Sequence, residues 1–188
     1  CSVTTPTIVA SSNTPTVLGY NTTSSATIAT VNQNTAISLN SNPTYYAITK
    51  KDAVTFTANW NANGATLSST AQASCNIAAT YNGAAQATSC TVTAPTITAP
   101  SATPTVLGYN TSASSNSNNS SYNTTSKLLT LNSSNTGSTW YAQTRKDAVS
   151  YTVSSYEKGS NVSSIGAKTD ANSKCTINAT YNGTAQAT

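Results

Sequence analysis

Charged side chains are scarce in this sequence. Only 6% of its 188 residues are Asp, Glu, Lys or Arg, against roughly 25% in ordinary globular domains. The net charge of +4 comes from eight basic and four acidic residues that are scattered along the chain. A nucleic-acid-binding surface needs clustered Lys and Arg, so we expect no nucleic-acid partner. Disordered chains usually combine low hydrophobicity with high net charge, so this composition does not indicate disorder.

The side chains that most often carry catalysis or bind metals are missing or isolated. The chain has no His and no Met. Without His, the many Ser and Thr hydroxyls lack an obvious base to activate them. The acidic residues do not cluster as a calcium site requires, and the four Cys form neither the close pairs of a zinc site nor a CxxC redox motif. We therefore expect no enzyme activity, no cofactor and no metal ion.

The residues that are abundant favour an all-β fold. Ten Tyr and many β-branched residues recur at spaced positions, which is typical of strands. Residues 54–60 alternate, with Val, Phe, Ala and Trp on one face, and residues 149–156, 75–81 and 175–181 alternate in the same way. The only candidate for a helical turn is residues 69–74. No apolar run approaches the roughly 20 residues of a membrane span, so we predict none in this segment.

The sequence repeats itself. The phrase TPTVLGYNT occurs at Thr14 and again at Thr103, and the segments that begin at Tyr45 and Cys75 return at Trp140 and Cys175. The offset between equivalent residues grows from 89 to 95 to 100, so the second copy carries insertions. The first insertion lies in the polar stretch 112–127, which we predict to be a surface loop. We divide the chain into repeat one, residues 1–89, and repeat two, residues 90–188.

The cysteine spacing predicts a disulfide bond. Asn82-Gly83 is a strong signal for a two-residue hairpin turn. Around such a turn the residue numbers of cross-strand partners add up to 165, which places Cys75 opposite Cys90. We therefore predict a Cys75–Cys90 disulfide on this hairpin. Disulfides persist in oxidising compartments, so the location that we expect is extracellular or at the cell surface.

The other two cysteines, Cys1 and Cys175, are out of phase with the repeat. The same arithmetic around Asn182-Gly183 gives Cys175 a partner at position 190, beyond the last residue of this sequence. Either these residues are part of a longer array, with Cys1 and Cys175 bonded to neighbouring modules, or Cys175 of one copy meets Cys1 of the next in a head-to-tail fibre. A third possibility is an internal Cys1–Cys175 bond.

The repeated phrases resemble the Listeria–Bacteroides repeat, which is related to the internalin B-repeat. Residues 16–21 and 105–110 match its GY phrase, Tyr45-Tyr46-Ala47 and Trp140-Tyr141-Ala142 match its LYA strand, and Val54-Thr55-Phe56 matches its VTF strand. The resemblance implies small β-grasp-like modules, with immunoglobulin-like modules as the alternative all-β form. It also implies tandem modules on secreted or wall-attached proteins that serve as stalks or adhesins, here in a Cys-bearing variant.

Several other residues carry weaker hypotheses. Asp52 and Asp147 occupy equivalent positions, and we interpret them as turn residues or local ion pairs rather than as an acid/base pair. A Lys–Asn isopeptide crosslink that uses Lys50, Lys51 or Lys146 is an alternative. Tyr20 and Tyr109 are either core residues or an aromatic platform for a ligand.

N-x-S/T sequences make this chain a candidate glycoprotein. We select four candidate acceptors in repeat two: Asn110, Asn119, Asn123 and Asn132.

Together these features predict an extracellular structural repeat protein, part of a surface fibre, stalk or filament built from disulfide-stapled β modules. Its expected partners are neighbouring copies or modules of the same protein, arranged head to tail, and glycans are a further candidate partner. The alternative is an adhesin that binds a ligand or glycan through the loops of repeat two, mainly residues 112–127.

Overall fold

The computed structural model describes residues 1–69 and 72–188, and the prediction of an all-β fold is confirmed. The candidate helical turn at 69–74 has its centre outside the described residues. The first part of the chain forms β1 (Ser2–Thr4), β2 (Thr16–Asn21), β3 (Ala36–Ser38), β4 (Tyr46–Lys51), β5 (Val54–Thr57), β6 (Asn59–Asn61), β7 (Thr66–Leu67), β8 (Ser74–Ile77) and β9 (Thr80–Tyr81). The second part forms β10 (Ser89–Thr93), β11 (Ile97–Thr98), β12 (Thr105–Asn110), β13 (Leu128–Asn132), β14 (Thr139–Lys146), β15 (Val149–Thr152), α1 (Asp170–Ser173), β16 (Lys174–Ile177) and β17 (Thr180–Tyr181). Among the described residues, no helix has the length and apolar character needed to cross a membrane.

These strands collect into two compact units, and each unit is assembled from three separate stretches of chain. Unit 1 consists of Cys1–Thr57, Ser74–Val92 and Thr130–Thr136. Unit 2 consists of Ala58–Ala73, Thr93–Leu129 and Gly137–Thr188. The division into repeats at 89/90 describes the period of the sequence, whereas the compact units interleave the repeats. Unit 1 contains short segments of repeat two, and unit 2 contains a segment of repeat one.

Unit 1 is built on the antiparallel sheet β2-β4-β9. Strand β2 pairs with β4 from Thr16↔Lys50 to Asn21↔Tyr46, with a register shift at Gly19. Gly19 has a φ of 131°, and a Cβ at this position would lie 2.3 Å from the carbonyl oxygen of Val31. Only glycine fits this bulge, because its backbone angle is unfavourable for other residues and its neighbour is backbone. The large buried side chains of the unit are Tyr20, Ile48, Phe56, Ile77, Val92 and Leu131.

Unit 2 repeats this architecture and adds one strand to it. Its sheet has the order β12-β14-β17, and β6 pairs in parallel with β14. Strands β12 and β14 have the same register and the same bulge as in unit 1, now at Gly108. The apolar core residues of the unit are Ala58, Ala94, Tyr109, Tyr122, Leu129, Trp140 and Ala142.

The prediction of one continuous strand over residues 54–60 is wrong. Strand β5 ends at Thr57 and belongs to unit 1, whereas β6 begins at Asn59 and belongs to unit 2. The break occurs at Ala58, whose N–H donates to the carbonyl of Ala73, while the N–H of Asn59 donates to Ser138. The alternation of apolar side chains continues through the break, so the pattern alone could not reveal it.

Three further predicted strands are shorter than expected. Residues 75–81 divide into β8 and β9, and residues 175–181 divide between β16 and β17. The strand predicted over 149–156 ends with β15 at Thr152. At the interruption after β8, the carbonyl of Ala78 accepts a hydrogen bond from the side-chain amide of Gln86 at 3.0 Å.

A pair of isoleucines tests which part of unit 1 carries its stability. Ile48 is fully buried, whereas Ile28 is 68% exposed. We expect Ile48→Ala to lower the free energy of unfolding by about 2–5 kcal/mol, because it removes buried methyl groups and leaves a cavity. The matched control Ile28→Ala should stay within about 0.5 kcal/mol of the parent chain. Urea unfolding monitored by circular dichroism measures both, and equal losses in the two variants would contradict this assignment of the core.

Candidate functional site

The candidate site is the junction at which one repeat joins the next. Cys75 lies in β8 of repeat one and Cys90 lies in β10 of repeat two, and the two form a disulfide with a Cα–Cα distance of 6.1 Å. Both residues belong to unit 1. A crosslink that closes a loop of this length contributes roughly 3 kcal/mol by restricting the unfolded chain. The bond is therefore a covalent staple between consecutive repeats.

The cysteines do not meet on the hairpin that we predicted. The turn itself is present, since Asn82 and Gly83 both have positive φ, at 55° and 83°, and Ala84 N–H donates to Tyr81. The strands that flank the turn nevertheless find other partners, with β9 on β4 and β8 on β5. The hairpin prediction is therefore wrong.

Side-chain amides bond the turn region to other parts of unit 1. The amide of Gln86 donates to the backbone carbonyls of Asp52 and Ala78, at 2.7 and 3.0 Å. The amide of Asn82 donates to the carbonyls of Ser24 and Ala26. These bonds hold the turn against its own unit and satisfy backbone acceptors there.

The second pair of cysteines has the same local setting but no bond. Cys175 pairs with Tyr151 across β15 and β16, as Cys75 pairs with Phe56 across β5 and β8. Cys1 occupies the repeat position of Cys90. Both Cys1 and Cys175 are free and exposed. The chain thus contains one closed junction and the two separate halves of another.

Side-chain exposure distinguishes the closed junction from the open one. Phe56, beside Cys75, is only 7% exposed, whereas its equivalent Tyr151, beside Cys175, is 62% exposed. In unit 1 the repeat-two segment Thr130–Thr136 lies close to this position, since Thr57 N–H donates to the hydroxyl of Thr136 at 3.0 Å. In unit 2 the corresponding place is an open groove lined by residues 151–153 and 171–175.

The acidic residues in the two equivalent turns form local ion pairs. Lys50 Nζ lies 2.6 Å from Asp52, and Arg145 Nε lies 2.7 Å from Asp147. The hydrogen bond and the charge of Asp52 raise the pKa of Lys50 above its ordinary value. Among the described residues, no three His, Cys, Asp or Glu side chains gather into a group that could hold a metal ion.

The repeated tyrosines are buried. Tyr20 is 8% exposed and Tyr109 is fully buried, and each hydroxyl donates to a proline carbonyl at 3.1 Å. The ring of Tyr109 contacts the rings of Trp60 and Tyr122 edge to face, with centroids 4.9 and 5.2 Å away. Neither tyrosine presents an open ring face to a ligand, and both act as core residues.

The candidate glycosylation residues have a structural role of their own. The side-chain oxygens of Asn110, Asn119, Asn123 and Asn132 each accept a hydrogen bond from the backbone N–H two residues later. These are Asx turns, which tighten loops, and they account for Asn being placed here independently of any glycan. Asn123 is exposed, whereas the other three are half-buried.

The polar stretch 112–127 is more than the surface loop that we predicted. Its Tyr122 is 5% exposed and lies in the core of unit 2. Asn118 accepts a hydrogen bond from Tyr109 N–H at 3.1 Å and donates one to the carbonyl of Tyr122. The middle of the stretch is therefore part of the fold. Replacing all of it by Gly and Ser would disturb unit 2, so that loss of attachment would not distinguish a structural spacer from a ligand-binding adhesin.

Comparison of the chain with protein families, with curated proteins and with solved structures gave no match. The similarity to the Listeria–Bacteroides repeat therefore stays a prediction from short motifs. Any function must be inferred from the geometry of the chain itself, above all from the disulfide that joins its two repeats.

Because Tyr109 is buried, we expect the free energy of unfolding to depend on pH in the alkaline range. Burial, and secondarily the charge of Tyr122, raises the pKa of Tyr109 above its ordinary value of 10.0. The folded chain thus keeps a proton that the unfolded chain releases, and stability is lost as the pH rises above about 10. We expect Tyr109→Phe to weaken this dependence in urea unfolding between pH 9 and pH 11.5. The control Tyr151→Phe, at an exposed ring, should leave the dependence unchanged, and equal slopes in all three proteins would contradict the prediction.

Proposed function

We propose that this chain is an extracellular structural repeat protein whose repeats are stapled head to tail into a fibre, stalk or filament. The observation that carries the proposal is the Cys75–Cys90 disulfide, because it joins repeat one to repeat two. A staple within a repeat would only stabilise that repeat. A staple between repeats makes the connection itself resistant to unfolding and to extension.

The two free cysteines could form the same kind of bond between two chains. Cys175 has the repeat position of Cys75, and Cys1 has that of Cys90, so a bond from Cys175 of one copy to Cys1 of another would reproduce the closed junction. Such a contact uses two different surfaces, and a contact of that type leaves both ends of the assembly open. Copies joined in this way form a linear array rather than a closed oligomer.

The side chains around the open junction support this arrangement. Tyr151 is 62% exposed beside Cys175, and a second copy that supplies the equivalents of Cys90 and Thr130–Thr136 would cover it, as Phe56 is covered. Burying an aromatic ring contributes about 1.5–3 kcal/mol. A disulfide is compatible with an oxidising, extracellular location.

A mixing experiment tests the head-to-tail bond. Cys1→Ser leaves only Cys175 free, and Cys175→Ser leaves only Cys1 free, while both variants keep the Cys75–Cys90 staple. We expect each variant alone to remain monomeric under mild oxidation, because it offers only one half of the junction. An equimolar mixture should give covalent dimers, and the parent chain should give a ladder of multiples of 19.2 kDa. Non-reducing electrophoresis and intact mass with and without reductant provide the measurement.

Two results would overturn the proposed head-to-tail bond. One is a parent chain that becomes an oxidised monomer, two hydrogens lighter, since that would place the bond inside a single copy. The other is dimerisation of each variant alone as efficiently as in the mixture, since that would show unspecific thiol coupling.

A further inference from the structure

Unit 2 contains a segment that repeat one supplies. Residues Ala58–Ala73 leave repeat one and become part of this unit. Strand β6 lies parallel to β14 in the register Thr139↔Asn59 to Tyr141↔Asn61. Strand β7 then pairs with β11, with Leu67 opposite Ile97. The donated segment thus completes the sheet of unit 2 at one edge and adds a second pairing beyond it.

Side chains of this segment fill the core of unit 2. The Trp60 ring packs on the fully buried Tyr109. After the strand, the amide of Asn63 donates to the carbonyls of Ala113 and Ala142, at 2.8 and 3.0 Å. Trp140 and Ala142, next to the donated strand, are fully buried. The core of unit 2 therefore depends on residues that its own repeat does not supply.

The same positions in unit 1 are open. Residues 44–47 are the equivalents of 139–142, and each of the four is in a more exposed class than its counterpart, most clearly Ala47, which is exposed where Ala142 is buried. The sheet of unit 1 has three strands where that of unit 2 has four, and no described strand lies parallel to β4 in the place that β6 takes beside β14. Val9, at the repeat position of the second residue of β11, is 94% exposed.

Repeat two carries a matching segment that has no partner strand among the described residues, although Val153 N–H donates to the carbonyl of Ser173 and the Tyr156 hydroxyl donates to that of Asn172. Its residues 153–165 follow β15 as Ala58 follows β5, and the described structure gives them no strand. Four apolar side chains of this segment are between 41% and 46% exposed: Val153, Tyr156, Val162 and Ile165.

The sequence of features along this segment is also the same. In repeat one, Trp60 is followed by a turn in which Ala65 N–H donates to Ala62, and then by Leu67. In repeat two, Tyr156 is followed by a turn in which Val162 N–H donates to Gly159, and then by Ile165. Both segments thus have an aromatic residue, a four-residue turn and an aliphatic residue in the same order.

We propose that residues 153–165 of one copy dock on unit 1 of a second copy as a donated strand, parallel to residues 44–46. Tyr156 takes the place of Trp60 against the Tyr20 and Tyr45 side of the sheet, and Ile165 takes the place of Leu67 beside Ile8. The occupant is a second copy because a donating repeat precedes the unit that accepts its strand, whereas repeat two follows repeat one within this chain. The inference deepens the proposed head-to-tail assembly, but it does not depend on the Cys1–Cys175 bond.

Crosslinking through the strand itself tests the docking. All variants carry Cys1→Ser and Cys175→Ser, so that the proposed terminal bond cannot form. One protein carries Thr44→Cys, at the equivalent of Thr139, and the other carries Ser155→Cys, which precedes Tyr156 as Asn59 precedes Trp60. Both positions are exposed, and Thr139 and Asn59 are paired in unit 2. Tyr156 lies one residue farther from the end of β15 than Trp60 lies from the end of β5, so the alignment is made on the aromatic residue. Neighbouring strands lie about 4.8 Å apart, which is within the Cα range of a disulfide. We expect a covalent dimer in the mixture and several-fold less in either protein alone.

Matched controls identify the register and the anchor. Ser154→Cys in place of Ser155→Cys moves the thiol to the other face of the strand, and it should lower the dimer yield several-fold. Adding Tyr156→Ser to the donor should lower the yield of dimer in the same way. Tyr156→Phe should preserve the yield, because the ring and not the hydroxyl packs against the sheet of unit 1.

The outcomes separate this inference from the proposed function. Equal yields from Ser154→Cys and Ser155→Cys, or no dimer in the mixture, would overturn strand donation even if the Cys1–Cys175 array forms. A single chain that carries both Thr44→Cys and Ser155→Cys and closes the bond within a monomer would also overturn it. A specific dimer together with a negative result for Cys1 and Cys175 would support strand donation and reject the covalent fibre.

Discussion

A shortage of large apolar side chains is the constraint on which the rest of this structure depends. The entire chain has one Phe and two Trp, and a domain of about ninety residues already buries a limited share of its surface. Each compact unit therefore recruits residues from the neighbouring repeat. Unit 2 takes Trp60 from repeat one, and unit 1 takes Leu131 and Val92 from repeat two. Interleaving of repeats compensates for a core that neither repeat could fill alone.

Uncharged polar side chains form equivalent buried hydrogen bonds in both units. The hydroxyls of Thr14 and Thr49 lie 2.7 Å apart, as do those of Thr103 and Thr144, and all four residues are buried. Buried polar atoms need partners, and reciprocal hydroxyl pairs provide them without the desolvation cost of burying charge. A sequence rich in Thr, Asn and Ser and poor in charge is consistent with this kind of packing.

The amides of the turn regions follow the same principle. Asn82 and Asn182 each donate to two backbone carbonyls of the loop after the first long strand, and Gln86 and Gln186 each hold two carbonyls as well. Because these bonds recur at equivalent residues, they are a property of the repeat and not of one loop. They hold the Asn82-Gly83 turn against its own unit, and the strands on either side of it pair elsewhere.

Periodicity and repetition predicted the fold class and the two repeats, because each of these leaves a regular signal in the sequence. The break at Ala58 could not be predicted in this way, since apolar residues alternate identically on both sides of it and only the identity of the partner strand changes. The partner of Cys75 was found by arithmetic on a hairpin that does not exist. The spacing of the two cysteines around the turn identified the disulfide pair, whereas the ladder assumed between them is absent. The hydrogen bonds of Gln86 in this region come from its side chain, so the strand pattern of the sequence could not predict them. Tyr122 was missed because its polar neighbours in 112–127 resemble a solvated loop.

At a junction between repeats, we expect the donated strand to dock before the disulfide forms. In unit 1 the Cys75–Cys90 bond ties repeat two to repeat one, and in unit 2 the strand from repeat one lies against β14 of repeat two. A docked strand restricts the search of the cysteine that follows it, and this raises the effective concentration of one thiol near the other. Recognition through Tyr156 and Ile165 would therefore come before bond formation between Cys175 and Cys1, and it would select the correct partner thiol. Once formed, the disulfide prevents the strand from leaving, so that a pairing of modest strength becomes kinetically stable.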